Sequence, residues 1–367
     1  MLTRFTRDDP PPQMIRALNA KDWVVERRLY GLLLRGQALT SPAGVVGQMT
    51  AVQAQDHPQA RWSVAQRMAG TPDAAAVDTA FADGRFVRVH MLRPTWHYVA
   101  ATDLRWLMCL SGPRVDAANA RQYEAEGLGP RPLARSNEIV GQAVASGPRT
   151  RRELAVAIEN GGVLTAGLRL TLILMHAELT GVVCSGPMQG KQHTYAAFDD
   201  RAGPEPGPRG DEALGQLAWR YFSTRGPATV RDFSWWSGLN ARDARLGLEL
   251  ARSRLIGREL DGRMYWCTEQ ELPPTKKPGV DLVQCYDEMI ISYSESRDIV
   301  QTTHTGFPFL SRSGGFSNVV LLDGKLLGHW RRASRGSSVE VRTDKVLGAR
   351  QQAALAEAIG RYRHFAP

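Results

Sequence analysis

One arrangement recurs three times along this chain and restricts the fold more than any other feature: amphipathic helices followed by a short β-hairpin. In the first copy, Val24, Val25, Leu29, Leu32 and Leu33 fall at helical spacing within Asp22 to Arg35. Ser41-Pro42 opens a second helix, with Ser as N-cap and Pro in the first turn. That helix carries Val45, Val46, Met49 and Val52 on one side and is expected to run on until Pro58 stops it, a further helix beginning near Gln59. From Phe86 to Val99 the period changes to alternation, with Val87, Val89 and Met91 on one side and Arg93-Pro94 at the turn. Helix, helix, helix, hairpin is the order of a winged helix.

The second copy starts at Thr150-Arg-Arg-Glu153, a capping box. Leu168 to Gly181 follows as a longer helix, and Val182 to Cys184 pairs with His193 to Phe198 as a wing. After the Pro/Gly-rich stretch Gly203 to Gly210 comes the third copy. Its helices are Glu212 to Arg225, one capped by Thr229, and Asp243 to Ser253, and its hairpin turns at Asp261-Gly262, a type I′ dipeptide. The last part differs. Val283 to Cys285, Val319 to Leu322, Lys325 to Trp330 and Val339 to Val341 read as strands, and Leu347 to Phe365 as a closing helix. The expected fold is α+β: a flexible tail (1–20), winged-helix units at 21–130, 131–202 and 203–270, and a C-terminal β-rich platform or small barrel at 271–367.

A chain that is 43% hydrophobic and 23% charged suits a soluble globular protein. The longest apolar-leaning stretch, Leu168 to Val183, is broken by Arg169, His176 and Glu178 and reads as a core helix, not a bilayer span. Met1 to Gln13 lacks an apolar run and reads as a frayed tail, so a bacterial cytoplasmic location is expected. The net charge of +9 suits a polyanionic partner. Nearly all of the basic residues are Arg, a bias that a GC-rich genome explains as readily as selection for phosphate contacts. Cys109, Cys184, Cys267 and Cys285 lie far apart without a CxxC, which argues for buried thiols over a zinc site or disulfides. No metal or cofactor is called for.

The sharpest segment is Met49-Thr-Ala-Val-Gln53-Ala54-Gln55-Asp56-His57-Pro58. In a helix, residues two apart point about 200° away from each other, so Gln53 and Gln55 converge only if the helix ends between or just after them. Pattern alone favours the ordinary reading of two solvated or capping amides. The chain resembles AlkZ-like DNA glycosylases, however, and Gln53-Ala54-Gln55 matches the Gln-x-Gln motif of that family. Arg93-Pro-Thr-Trp-His97 matches its Arg-x-Thr-x-His run. Gly190-Lys-Gln-His-Thr-Tyr195, Gly226 to Gly238, Tyr286-Asp-Glu288 and Leu322-Asp-Gly-Lys325 resemble its later parts. A sister branch carries Asp at the second glutamine position, and Gln55 places the chain on the AlkZ-like side.

The resemblance implies a glycosylase that hydrolyses the N-glycosidic bond of N7-alkylguanine in duplex DNA, in base excision repair or in the self-resistance of an antibiotic producer. It works without cofactor, on bulky genotoxin or cross-link adducts among others, and as a monomer. Alkylation at N7 makes the base a cationic, ready leaving group, so neutral amides need only place water and steady the developing oxocarbenium ion. Gln53 and Gln55 are the expected catalytic pair. Arg93, Trp96, His97, Lys191, Gln192 and His193 are candidate supporting or DNA-binding residues. For His97 a plain hydrogen bond within the hairpin is an equal reading. Arg93 pairs with phosphate or with a local carboxylate, Lys191 to His193 form a wing tip or a solvated turn, and Trp96 and Trp62 read first as core. Trp235-Trp236 reads as core and His57 as a turn residue, while Asp56, Glu178, Asp287 and Glu288 are weaker candidates as catalytic carboxylates. The rival readings are a non-catalytic winged-helix transcription regulator, which has no use for the glutamines, and a protein-interaction scaffold.

Overall fold

The structure, a computed structural model, describes residues 20–36, 38–270, 272, 279–300, 317–333 and 338–366. The expected tail, save Ala20, lies outside these residues. The first unit begins with α1 (Ala20–Gly31), α2 (Pro42–Met49), the short strand β1 (Val52–Gln53), α3 (His57–Ala65) and α4 (Ala74–Ala82). A hairpin follows, β2 (Phe86–Met91) and β3 (Thr95–Ala100), and then α5 (Leu104–Ala118) and α6 (Ala120–Ala125). The expected N-cap is there: the Ser41 side chain accepts from the Gly44 N–H. The second helix is shorter than its apolar spacing suggests. It ends at Met49 because Thr50 adopts φ 65°, and Pro58 sits in the first turn of α3, where its missing N–H is no loss.

The second unit holds α7 (Pro130–Val144), β4 (Arg149–Thr150), α8 (Arg151–Asn160), α9 (Arg169–Leu179), β5 (Val183–Ser185), β6 (Thr194–Ala197) and α10 (Phe198–Arg201). The capping box at Thr150 and Glu153 is formed, each side chain bonding the other's backbone N–H. The third unit is α11 (Gly210–Arg225), α12 (Val230–Ser237), α13 (Ala241–Ala251), β7 (Ile256–Leu260) and β8 (Arg263–Cys267). Both residues of the Asp261-Gly262 turn have positive φ, as a type I′ turn requires.

The C-terminal part comprises β9 (Val280–Val283), α14 (Glu288–Ile291), β10 (Val319–Leu322), β11 (Lys325–Arg332), β12 (Val339–Thr343) and α15 (Ala349–Phe365). Its strands form an open antiparallel sheet in the order β12-β11-β10-β9, a platform and not a closed barrel. Its first strand ends at Val283 where Val283 to Cys285 was expected, since Asp287 N–H closes a turn on Gln284 O. The whole is mixed helix and sheet, with small antiparallel sheets ordered β1-β3-β2, β4-β6-β5 and β7-β8 besides the platform.

The sheet of the first unit is buried on both faces. Val87, Val89, Met91 and Val99 join the core shared with the second and third units. Val52, Phe86 and Tyr98 point the other way, into a core shared with α15 and the C-terminal sheet. Trp62 lies in that second core, as expected, and its indole N–H donates to Leu282 O. Beside it Asp287 is wholly buried and takes both Arg67 N–H groups, at 2.8 and 2.9 Å, together with the Ser63 hydroxyl. This carboxylate, offered above as a weak catalytic candidate, fastens α3 to the C-terminal part. Replacing it with Ala strands the Arg67 charge inside, so Asp287→Ala is expected to lower the unfolding free energy by about 3–5 kcal/mol, measured by urea denaturation.

Candidate active site

Of the Gln-x-Gln segment, Gln53 lies on strand β1 and not at a helix tip, and Gln55 lies in the bend that leads into α3. Gln53 pairs with His97 and Val52 with Tyr98, and the Ala54 N–H donates to Trp96 O at 2.7 Å, extending the ladder by one residue. In extended backbone, residues two apart point to the same face. The opposed directions that a helix would impose on Gln53 and Gln55 therefore do not apply here.

Several backbone groups of this segment are held by side chains from elsewhere. Arg225, at the end of α11, donates to Met49 O at 2.9 Å and Ala51 O at 2.7 Å. Glu288 Oε1 accepts the Gln53 N–H at 2.8 Å, while its Oε2 takes Arg225, Ser292 and the Trp236 indole. Arg88 donates to Ala54 O at 2.8 Å and Gln55 O at 3.3 Å. Burial pushes the Glu288 carboxyl up, but the Arg225 guanidinium and the bonds from Ser292 and Gln53 outweigh it and hold it down at about 2. Glu288 is thus a fully engaged anion behind the Gln53 backbone and not a free general base.

The two glutamine side chains differ. Gln53 is only 6% exposed, and its Oε1 accepts from Arg93 Nη2 at 2.8 Å. Arg93 is thus bonded to an amide and not to a local carboxylate, and the bond fixes which way the Gln53 amide points. Burial lowers the Arg93 pKa, with Glu288 opposing. Gln55 is partly exposed, yet its Oε1 is buried and has no hydrogen-bond partner among the described residues. Asp56 is spent as the N-cap of α3, accepting from the backbone and side chain of Gln59.

His97 is fully buried, and its Nδ1 lies 3.0 Å from Thr95 O. A carbonyl only accepts, so the proton sits on Nδ1 and Nε2 carries a buried lone pair without a partner. Burial, with Arg93 adding to it, lowers its pKa to about 3, so the ring is neutral. The hydrogen bond within the hairpin is there, and the register places the residue directly across from Gln53.

Trp96 is not core. It is partly exposed, with the Arg88 guanidinium 4.2 Å from its ring and the His90 ring 4.1 Å away on the neighbouring strand. Glu178, one of the weaker carboxylate candidates, is taken up by His90: it accepts from the His90 backbone N–H and lies within hydrogen-bond reach of its ring. At the second hairpin, Lys191 and Gln192 are exposed but His193 is not at the tip. Its ring folds back to 4.7 Å from that of His57, joining the second unit to the start of α3. Two further expectations fail. Cys109 is exposed, and Trp235 is 46% exposed, its helix turning Phe233 and Trp236 inward instead.

A family model described as "DNA glycosylase AlkZ-like" matches residues 46–365. The chain belongs to the AlkZ-like DNA glycosylase family. It is accordingly an enzyme of the hydrolases that act on N-glycosyl bonds. The interstrand DNA cross-link repair glycosylase of Streptomyces sahachiroi is 26% identical to it over 321 residues, 83% of this chain and 85% of the relative. The solved structure of Streptomyces sahachiroi DNA glycosylase AlkZ shares the fold, with a TM-score of 0.75 at 22% identity over 93% of this chain and 96% of that one. Within this glycosylase, sequence reasoning missed Arg225, Arg88 and the anchoring role of Glu288. The signal for Glu288 was the Asp287-Glu288 pair, two of whose partners, Arg67 and Gln53, lie more than 200 residues away.

The buried histidines give this site a pH dependence. His57 and His97 are lowered to about 3 and His193 to about 4, burial being the largest cause in each. Each therefore takes a proton first in the unfolded chain, so its contribution to stability is complete above pH ~6.5 and is lost as pH falls toward the folded values. The unfolding free energy is expected to drop between pH ~6.5 and ~4, by up to about 1.4 kcal/mol per pH unit for each histidine, less for half-buried His193. Urea midpoints near neutrality and near pH ~4.5 check this; equal midpoints would mean the rings are not held neutral.

Proposed function

We propose that this enzyme is a monofunctional glycosylase that hydrolyses the N-glycosidic bond of N7-alkylguanine in duplex DNA. One observation carries the reading: beside an Arg93-fixed Gln53 lies Gln55, whose buried carbonyl oxygen has no partner, while the nearest carboxylates, Asp56 and Glu288, are already engaged. An unengaged amide oxygen accepts a hydrogen bond from water and turns the negative end of its dipole toward developing positive charge. It is a poor base. Such a site suits a base that leaves as a neutral molecule once its bond breaks, which a guanine made cationic at N7 does and uracil does not.

Each of the first two units orders its sheet with the early strand beside the last, β1-β3-β2 and β4-β6-β5, and the third ends in a hairpin. This supports reading them as tandem winged helices that seat the duplex. The Streptomyces relative is named for interstrand cross-link repair, which supports bulky or cross-linking adducts as substrates, whether in general repair or in a producer's self-resistance. The linked units already offer a long binding face, so the working form is a monomer, acting on nucleoid DNA in the bacterial cytoplasm.

The test uses duplex DNA carrying N7-methylguanine, alkali treatment and a count of strand breaks. Wild type is expected to give breaks on this substrate and few on uracil-containing DNA. Gln53→Ala and Gln55→Ala are each expected to cut the rate about 100-fold while still binding DNA. A wild type that binds tightly and releases no base would return the chain to the regulator reading.

A further inference from the structure

Trp235 is the one exposed Trp, Tyr or Phe among the described residues. Its place is set by the structure around it. Arg114 donates to Leu92 O and to both Ser237 O and Gly238 O, tying the end of α12 to the turn that carries Arg93. Gly238 (φ 67°) lets the two backbones meet; a Cβ there would stand 2.4 Å from Leu92 O. The Trp235 indole N–H donates to Ile291 O at 3.1 Å, which fixes the ring's orientation. The Arg93 guanidinium lies 5.6 Å from the ring, and Arg93 in turn holds Gln53. On its other flank the ring walls a pocket of about 270 Å³ between α12 and α13, floored by Val230 and Ala244, with Arg231 and Arg245 exposed at its mouth. Arg231 makes an ion pair with Glu295 at 3.2 Å, its own side chain largely exposed.

An oriented aromatic face left in water, with apolar floor and cations at the rim, has the chemistry of a nucleotide site. The ring stacks on a base and the guanidinium groups hold phosphate oxygens. We propose that Trp235 stacks on the nucleobase adjoining the scissile nucleotide and that Arg231 and Arg245 hold the flanking phosphates, making the third unit the contact that sets the DNA register over Gln53. The inference rests on Gln53 marking the reacting centre.

The experiment places 5-iododeoxyuridine beside N7-methylguanine in a duplex and irradiates the complex, which joins the iodinated base to a stacked aromatic ring. Affinity is read separately by fluorescence anisotropy, so that it does not depend on base release. The crosslink is expected to map to Trp235. Trp235→Leu, which keeps apolar bulk on an exposed site, is expected to abolish that crosslink and weaken binding about tenfold, while Trp235→Phe keeps most of the affinity. Arg231→Ala with Arg245→Ala is expected to reduce the slope of log affinity against log salt by about 2. Wild-type affinity in Trp235→Leu, or a crosslink mapping outside the third unit, overturns the stacking role, and an unchanged salt slope overturns the phosphate contacts. A Trp235 crosslink without base release would instead overturn the glycosylase reading of the glutamines and leave this contact standing.

Discussion

The structure depends on a buried ion pair between Arg225 and Glu288, both essentially inaccessible to water. Taking such charges out of water costs several kcal/mol each, and their attraction offsets that only if every remaining donor and lone pair is used. Here they are. Arg225 reaches Met49 O, Ala51 O, Thr224 Oγ1 and Ser292 Oγ besides its carboxylate partner. Glu288 takes the Gln53 N–H, the Ser292 hydroxyl and the Trp236 indole. The pair therefore joins three stretches of chain distant in sequence, and the groups it satisfies are those left open where α2 breaks off and β1 begins.

That break gives the glutamines their setting. Once Thr50 turns the backbone out of the helix, β1 joins the edge of a sheet whose two faces are already packed into separate cores. The floor of the site is consequently rigid and dry, with a neutral His97 beneath it. Gln55 Oε1 and His97 Nε2 have no partner among the described residues, as is also true of Thr50 Oγ1, Arg93 Nε and Thr95 Oγ1 around them. In a low-dielectric site, such dipoles interact more strongly with a charge that develops nearby than they would in water.

Much of this was legible in the residues, where the signal was local. The Thr150 capping box, the Ser41 and Thr229 caps and the Asp261-Gly262 turn are short-range chemistry, and all of them formed. β1 was not legible, because Val45, Val46, Met49 and Val52 continue a helical spacing across a helix that has already ended, and a two-residue strand has no period of its own. Trp235 was misread although the clue was present: Phe233 and Trp236 are three apart, and a single helix face cannot also bury the residue between them. What the sequence could not show is long-range: the partners of Gln53 and Arg67 lie 235 and 220 positions away.

That separation has a consequence for synthesis. The segments that resemble DNA-binding units leave the ribosome well before residue 288, so a nascent or prematurely terminated chain lacks the anion that fixes the Gln53 backbone. The anchoring of the Gln53 backbone therefore comes late in translation, with the segment that also closes the protein's second core.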